Sequence, residues 1–192
     1  MEEIKSLDSL SLREKKKYSD VPESWKLSPV CCLSDISEKE VYYAASEGGA
    51  ASKLAAFRKS HEFMLYLLNK KGEQVLYFKN HAGIFANKLE VFDSSENLIG
   101  SVLKHGSSKT SFQILDAGGQ PLYEVEGPTI DPETFHIRKG GVALGKISRR
   151  PTRIAEEGVS RSDHFGITFP FDADPEEKGV LLGALFLIDL TF

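Results

Sequence analysis

The chain reads as mainly β: a closed antiparallel β-barrel around one buried C-terminal α-helix. Three features predict this. From Trp25 onward, short apolar stretches recur about every ten residues, separated by turn sequences such as Lys71-Gly72, Ala117-Gly118-Gly119-Gln120 and Lys139-Gly140-Gly141. Within the stretches, apolar and polar residues alternate: Leu89 and Val91 against Lys88 and Glu90, Phe135 and Ile137 against His136 and Arg138. That is the period of a strand with one buried face. Near the C-terminus the period changes, and residues 179–190 would present apolar side chains on every side of a helix. Such a helix has to be covered all round.

In chain order, residues 1–24 are polar, with a basic patch at Arg13-Glu14-Lys15-Lys16-Lys17. They are expected to form a flexible or loosely docked tail ahead of a single domain over 25–192. Strands are expected over 40–45, 63–68, 74–78, 88–93, 98–104, 111–116, 122–126, 134–138 and 142–148, with 47–52 a loop around Gly48-Gly49. The sharpest strand is 165–171, where Phe165, Ile167, Phe169 and Phe171 fall on one face. The helix then starts at Asp174-Pro175-Glu176-Glu177. Asp174 can cap it, Pro175 suits the first helical position, and Glu177 stands at the capping-box position. Residues 175–190 would span roughly 24 Å, about the height of a small barrel, with Gly179, Gly183 and Ala184 keeping the helix narrow.

The 192 residues carry 24 basic and 28 acidic side chains, a net charge of −4. With 41% hydrophobic and 27% charged residues the composition is that of an ordinary globular domain. A chain of this length buries about 70% of its unfolded surface and needs no disulfide or metal to fold. The acidic balance speaks against a nucleic-acid partner. Cys31 and Cys32 are the only cysteines and are adjacent, so neither a disulfide framework nor a zinc site is expected. They read as inert thiols or, alternatively, as lipid acceptors. Met1-Glu2-Glu3-Ile4-Lys5 lacks an apolar core, so no signal peptide is expected, and Glu2 excludes N-myristoylation. The longest apolar run, 179–192, holds 14 residues including Asp189, against about 20 for a membrane span. No nucleophile elbow, His-Glu-x-x-His or glycine-rich phosphate loop is present, and the five histidines show no ligand spacing, so an enzyme is not expected.

The stretches Phe165-Gly166-Ile167-Thr168-Phe169-Pro170-Phe171-Asp172-Ala173-Asp174 and Lys178-Gly179-Val180-Leu181-Leu182-Gly183-Ala184-Leu185-Phe186-Leu187-Ile188-Asp189-Leu190-Thr191-Phe192 closely resemble the C-terminal signature of the phospholipid scramblase family. Gly145-Lys146-Ile147-Ser148, Gly127-Pro128 and Val41-Tyr42-Tyr43-Ala44-Ala45 match further blocks, so the resemblance runs from about Val41 to Phe192. It implies a tubby-like barrel of about twelve strands around a central helix. It also implies binding to membranes and anionic phospholipids, with calcium-dependent movement of lipid between leaflets. The chain departs from the family pattern in three places. Its N-terminal segment has few prolines, residues 79–87 hold no cysteine for acylation, and Arg161 stands where the calcium segment begins with an acidic residue.

The implied calcium segment runs from Arg161 to Asp172, with Asp163, Asp172 and Asp174 as the carboxylate candidates. Calcium takes six to eight oxygens, so three carboxylates beside Arg161 make at most a weak site. On the other reading, Asp172 ends a strand and Asp174 caps the helix. A basic stretch, Lys146, Arg149, Arg150 and Arg153, is the candidate for anionic headgroups. Lys146 is expected to point outward opposite Ile147, and the three arginines to follow in a loop opened by Pro151. These features predict a peripheral protein on the cytoplasmic face of a membrane. The alternative is an adaptor or signalling module in cytoplasm or nucleus that binds a protein partner and no lipid.

Overall fold

The computed structural model describes residues 2–14, 27–46, 63–81, 88–105, 110–130, 133–151 and 163–192. Among them twelve strands close into one barrel: β1 (Ser9–Arg13), β2 (Ser28–Ser34), β3 (Glu40–Ser46), β4 (Phe63–Asn69), β5 (Gln74–Asn80), β6 (Lys88–Asp93), β7 (Leu98–Lys104), β8 (Ser111–Asp116), β9 (Pro121–Glu126), β10 (Thr134–Lys139), β11 (Val142–Pro151) and β12 (Asp163–Thr168). Helix α1 (Glu2–Lys5) precedes them and α2 (Pro175–Thr191) follows. Each strand pairs antiparallel with its neighbour in sequence, and β1 closes the ring between β12 and β2. Every edge is thereby paired, which removes the unpaired strand borders of an open sheet.

The expectation of a loose tail over 1–24 is corrected for its first part. Ser9-Leu10-Ser11-Leu12-Arg13 alternates, with Leu10 and Leu12 buried in the core, and Ser9 pairs with Thr168 at the other end of the chain. Ile4 of α1 is buried as well. Residues 15–24, including Lys15-Lys16-Lys17, lie outside the described residues, as does the loop expected at 47–52. Strand β2 is a second addition; it carries Cys31 and Cys32, both buried and neither in a disulfide. The Cys32 thiol donates to the Arg13 carbonyl at 3.5 Å.

Strand β12 ends earlier than its alternation suggests. Phe165, Ile167 and Phe169 are buried, but Phe171 is 99% exposed. Pro170 has no N–H to continue a ladder, and a turn closed by the Ala173 amide on the Pro170 carbonyl (3.2 Å) redirects the chain toward the helix. Gly145 lets the departing segment lie close: a Cβ there would stand 3.0 Å from the Pro170 nitrogen.

Helix α2 starts as its sequence demands. The Asp174 carboxylate accepts from the Glu177 amide at 2.8 Å, and the Glu177 carboxylate accepts from the Asp174 amide at 3.2 Å. Val180, Leu181, Leu182, Ala184, Leu185 and Ile188 are wholly enclosed by the barrel. Phe186 meets Phe78 edge-on, ring centroids 5.0 Å apart. Where α2 passes Leu89, Val91 and Val102 it has no side chain: a Cβ on Gly183 would come 3.0 Å from Leu89 and 3.2 Å from Val102 and Val91.

Polar groups fasten both ends of this apolar axle. The Lys178 ammonium is buried and donates to the carbonyls of Lys5 and Leu7, both at 2.8 Å, which ties α1 over the barrel end. Burial pushes its pKa down. At the other end the buried Asp189 carboxylate accepts from the Phe165 amide at 3.2 Å. Among the described residues no helix is long and apolar enough to cross a membrane.

Candidate functional site

The hairpin of β10 and β11 carries charged residues of one sign. Gly140 and Gly141 have φ of 57° and 81°, the left-handed pair that a two-residue turn between twisted strands requires. The Arg138 guanidinium donates to the Gly141 carbonyl at 3.0 Å and braces the turn. Between Thr134 and Pro151 the chain carries Arg138, Lys139, Lys146, Arg149 and Arg150 and no acidic residue, in a protein of net charge −4.

Lys146 stands where the sequence places it. It is exposed, opposite His136 on β10 and Thr168 on β12, while Ile147 is buried. Arg149 and Arg150 do not follow in a loop. Strand β11 continues to Pro151, which is tolerated as its last residue. Arg149 therefore pairs with Phe165, its amide donates to the Glu133 carbonyl at 2.7 Å, and its guanidinium lies 5.6 Å from the Phe165 ring centroid. Its register is that of Ile147 and the core, not of Lys146. Arg150 takes the next position, opposite His164. Arg153 lies outside the described residues. Lys146 and Arg149 are separated by roughly 10 Å of strand and by a change of face.

The cations that do share an end with Lys146 are Arg138 and Lys139. Lys139 reaches 3.7 Å from the Glu177 carboxylate and 5.1 Å from the Tyr123 ring centroid. The Tyr123 hydroxyl donates to Glu177 at 2.8 Å. Burial, and then that carboxylate, push the Tyr123 pKa well up, so the phenol stays a donor. Glu124 and Glu126 on β9 stand opposite Arg138 and His136, so the positive region extends from β10 toward β12 and the hairpin tip. Arg138 and Lys139 escape a reading that takes cations from loops. The signal that finds them is the absence of Asp and Glu across the whole hairpin.

The three residues proposed for calcium stand toward opposite ends of β12. Asp163 opens β12, and Asp172 and Asp174 follow its far end, past a strand roughly 17 Å long. Asp174 has an oxygen committed to the helix cap. Among the described residues no group of three His, Cys, Asp or Glu is placed to hold a metal ion.

A sequence model of the scramblase family matches residues 1–192. Phospholipid scramblase 1 of Homo sapiens is 22% identical over 207 residues, covering 100% of this chain and 65% of its own length. Phospholipid scramblase 1 of Mus musculus is 47% identical over 89 residues, 42% of this chain and 27% of its own. The chain thus spans 65% of the length of the human relative and less of the murine one. An X-ray structure of an Arabidopsis thaliana protein superposes with a TM-score of 0.48 at 8% identity, over 95% of this chain and 90% of that one. Every described strand and both helices fall within the family match, and on that match the chain belongs to the scramblase family.

Proposed function

We propose that this protein binds anionic phospholipids at a membrane surface and takes part in moving phospholipid between leaflets. The observation that carries the binding is the acid-free β10–β11 hairpin, with Arg138, Lys139 and Lys146 gathered at one end of the barrel. Each cation near an anionic surface contributes about 1 kcal/mol. The movement between leaflets rests on the relatives, which are named phospholipid scramblases.

Co-sedimentation with vesicles of graded phosphatidylserine content tests the binding. Binding is expected to rise with anionic content and to weaken with salt, as the screening length falls from about 10 Å at 0.1 M to about 3 Å at 1 M. Changing Arg138 and Lys146 together to Gln removes two cations and should cost about 2 kcal/mol, roughly thirtyfold in affinity. Absence of vesicle binding by the unaltered chain favours the adaptor with a protein partner. Calcium is a minor contributor in this reading, because Asp163, Asp172 and Asp174 lie at two ends of a strand. Calorimetric titration is expected to show affinity in about the millimolar range, and a micromolar site would overturn that expectation.

A further inference from the structure

The outer wall of the barrel has two unlike sides. Strand register sets outward residues in rows around the ring. Across β9, β10, β11, β12 and β1 one row runs Glu126, His136, Lys146, Thr168 and Ser9, all polar. Across β4, β5, β6 and β7 a row runs Tyr66, Tyr77, Phe92 and Leu98. Their chain neighbours Leu65, Leu67, Leu76, Phe78, Val91 and Ile99 are buried in the core, so these four face outward, and each is partly exposed. The Tyr77 and Phe92 rings stack, centroids 4.6 Å apart and 6° from parallel, and the Tyr66 ring lies 6.1 Å from that of Tyr77. Cross-strand stacking explains why the rings pair. It does not explain four apolar side chains in a row on a wet face, a composition typical of protein interfaces.

The charges around the row identify the occupant. From Lys70 to Glu96 there are four lysines and four acidic residues, so this side is neutral in a protein of net charge −4. A neutral face neither attracts an anionic bilayer nor repels its own copy. The charges are also self-complementary in position. The β4–β5 turn carries Lys70 and Lys71, and the β6–β7 turn carries Asp93 and Glu96. Two residues from Tyr77 and Phe92, Lys79 on β5 stands opposite Glu90 on β6. A two-fold axis along the strands, between β5 and β6, exchanges β5 with β6 and β4 with β7. It sets Tyr77 on Phe92 of a second copy, Tyr66 on Leu98, Lys79 on Glu90 and the lysine turn on the Glu96 turn. An axis across the strands would instead set Glu90 toward Asp93 and Glu96.

Glu96 adds an independent sign. The turns β2–β3, β4–β5, β6–β7 and β8–β9 repeat one geometry, in which Glu38, Gly72, Glu96 and Gly119 have φ of 62°, 79°, 65° and 80°. Glycine takes that conformation without strain, so a glutamate held there calls for a use of its side chain. The Glu38 carboxylate meets Arg13 at 3.2 Å. Glu96 is exposed and makes no ion pair among the described residues, and the same holds for Lys70, Lys71 and Lys79. We propose that the β4–β7 wall is a homodimer interface, with two copies meeting through Tyr66, Tyr77, Phe92 and Leu98 about an axis along β5 and β6. The β10–β11 hairpin stays uncovered, since β11 is six places from β5 in either direction round the ring.

Sedimentation velocity of the full chain is expected to show a monomer–dimer equilibrium with a dissociation constant of about 10 µM or tighter. Tyr77→Ser with Phe92→Ser should weaken it about thirtyfold or more. Glu96→Lys should weaken it about tenfold, and adding Lys70→Glu and Lys71→Glu should restore it. These turn charges are exposed, so folding is not at stake. Tyr66→Cys with Leu98→Cys should oxidise to a covalent dimer, whereas neither single variant should, because the axis brings 66 to 98 and neither to itself. Within one chain the two positions are three strands, roughly 14 Å, apart, too far for a bridge. A parent chain that stays monomeric at about 100 µM overturns the proposal. So does a dimer that Glu96→Lys leaves intact and the cysteine pair fails to cross-link, which would place the contact elsewhere. Loss of vesicle binding on Tyr77→Ser with Phe92→Ser, in a parent that is monomeric, would assign the row to lipid and overturn it as well.

Discussion

Gly183 and Gly141 are the same residue used for opposite reasons. On the axle, a Cβ at Gly183 would press to 3.0 Å from Leu89, so the position excludes volume. On the rim, a Cβ at Gly141 would meet nothing within 4 Å, and what the position demands is a backbone at φ 81°. Packing governs the axle, where Val180 to Leu182, Ala184, Leu185 and Ile188 are wholly buried. Backbone geometry and charge govern the rim, which touches solvent and whatever the protein binds. Mutations on the axle should therefore change whether the chain folds, and mutations on the rim what it contacts.

The strongest way to break this contrast is Leu182→Asp. Leu182 is wholly buried within the barrel. Losing a buried leucine costs about 2–5 kcal/mol, and an unpaired buried carboxylate adds several more, against a total stability of about 5–15 kcal/mol. The variant is expected to show no cooperative thermal transition. A soluble, cooperatively melting Leu182→Asp protein would mean that α2 is not the axle.

Next comes overpacking. Gly183→Val should destabilise by about 1–3 kcal/mol in urea titration, because Leu89, Val91 and Val102 leave no room. Gly141→Ala should cost about 1 kcal/mol through its positive φ alone. Equal losses at the two sites would erase the distinction between volume and backbone.

Lys178→Met probes the junction of axle and rim. It leaves the Lys5 and Leu7 carbonyls without their ammonium donor, a loss of about 1–3 kcal/mol offset in part by removing a buried charge. The expected readout is local: faster amide exchange over residues 2–8, with the middle of α2 still protected. Uniformly faster exchange would make Lys178 part of the core rather than a clasp for α1.

The smallest effect belongs to the outer wall. Burial works to raise the Glu90 pKa, but hydrogen bonds from Lys88 (2.9 Å) and His81 (2.7 Å) outweigh it and hold the carboxyl below its usual value. A carboxyl depressed by folding contributes stability above its unfolded pKa and loses it as pH falls through the folded one. Glu90→Gln should thus cost less than about 1 kcal/mol at neutral pH, with the difference lost as pH falls through the lowered pKa of the carboxyl. A constant difference across that range would show that the pair contributes packing and not charge.

The elements legible in the sequence are those whose causes are local. The cap at Asp174 and the helix after it follow from residues within four positions of one another. Most wall strands from Glu40 to Lys139 follow from period-2 alternation and glycine turns. Strand β1 was illegible because two leucines between serines, beside a run of charges, carry little weight until Thr168 supplies a partner. Strand β2 reads poorly for another reason: Val30, Cys31, Cys32 and Leu33 are all buried, so no alternation appears. The candidate site divides likewise. Lys146 could be placed from Ile147 beside it, whereas Arg149 depended on β11 running on to Pro151 against β12.

The sequence by itself determined the barrel class, the turns, the capped helix and a hairpin rich in cations, because alternation, capping and glycine conformations act over a few bonds. Only the tertiary structure decided that β1 closes the ring, that Phe171 leaves the core, and that Arg149 lies within β11 opposite Phe165. Those outcomes depend on which strand lies alongside. The Ser9–Thr168 pairing links residues 159 positions apart (168 − 9), and no local preference encodes a partner at that distance.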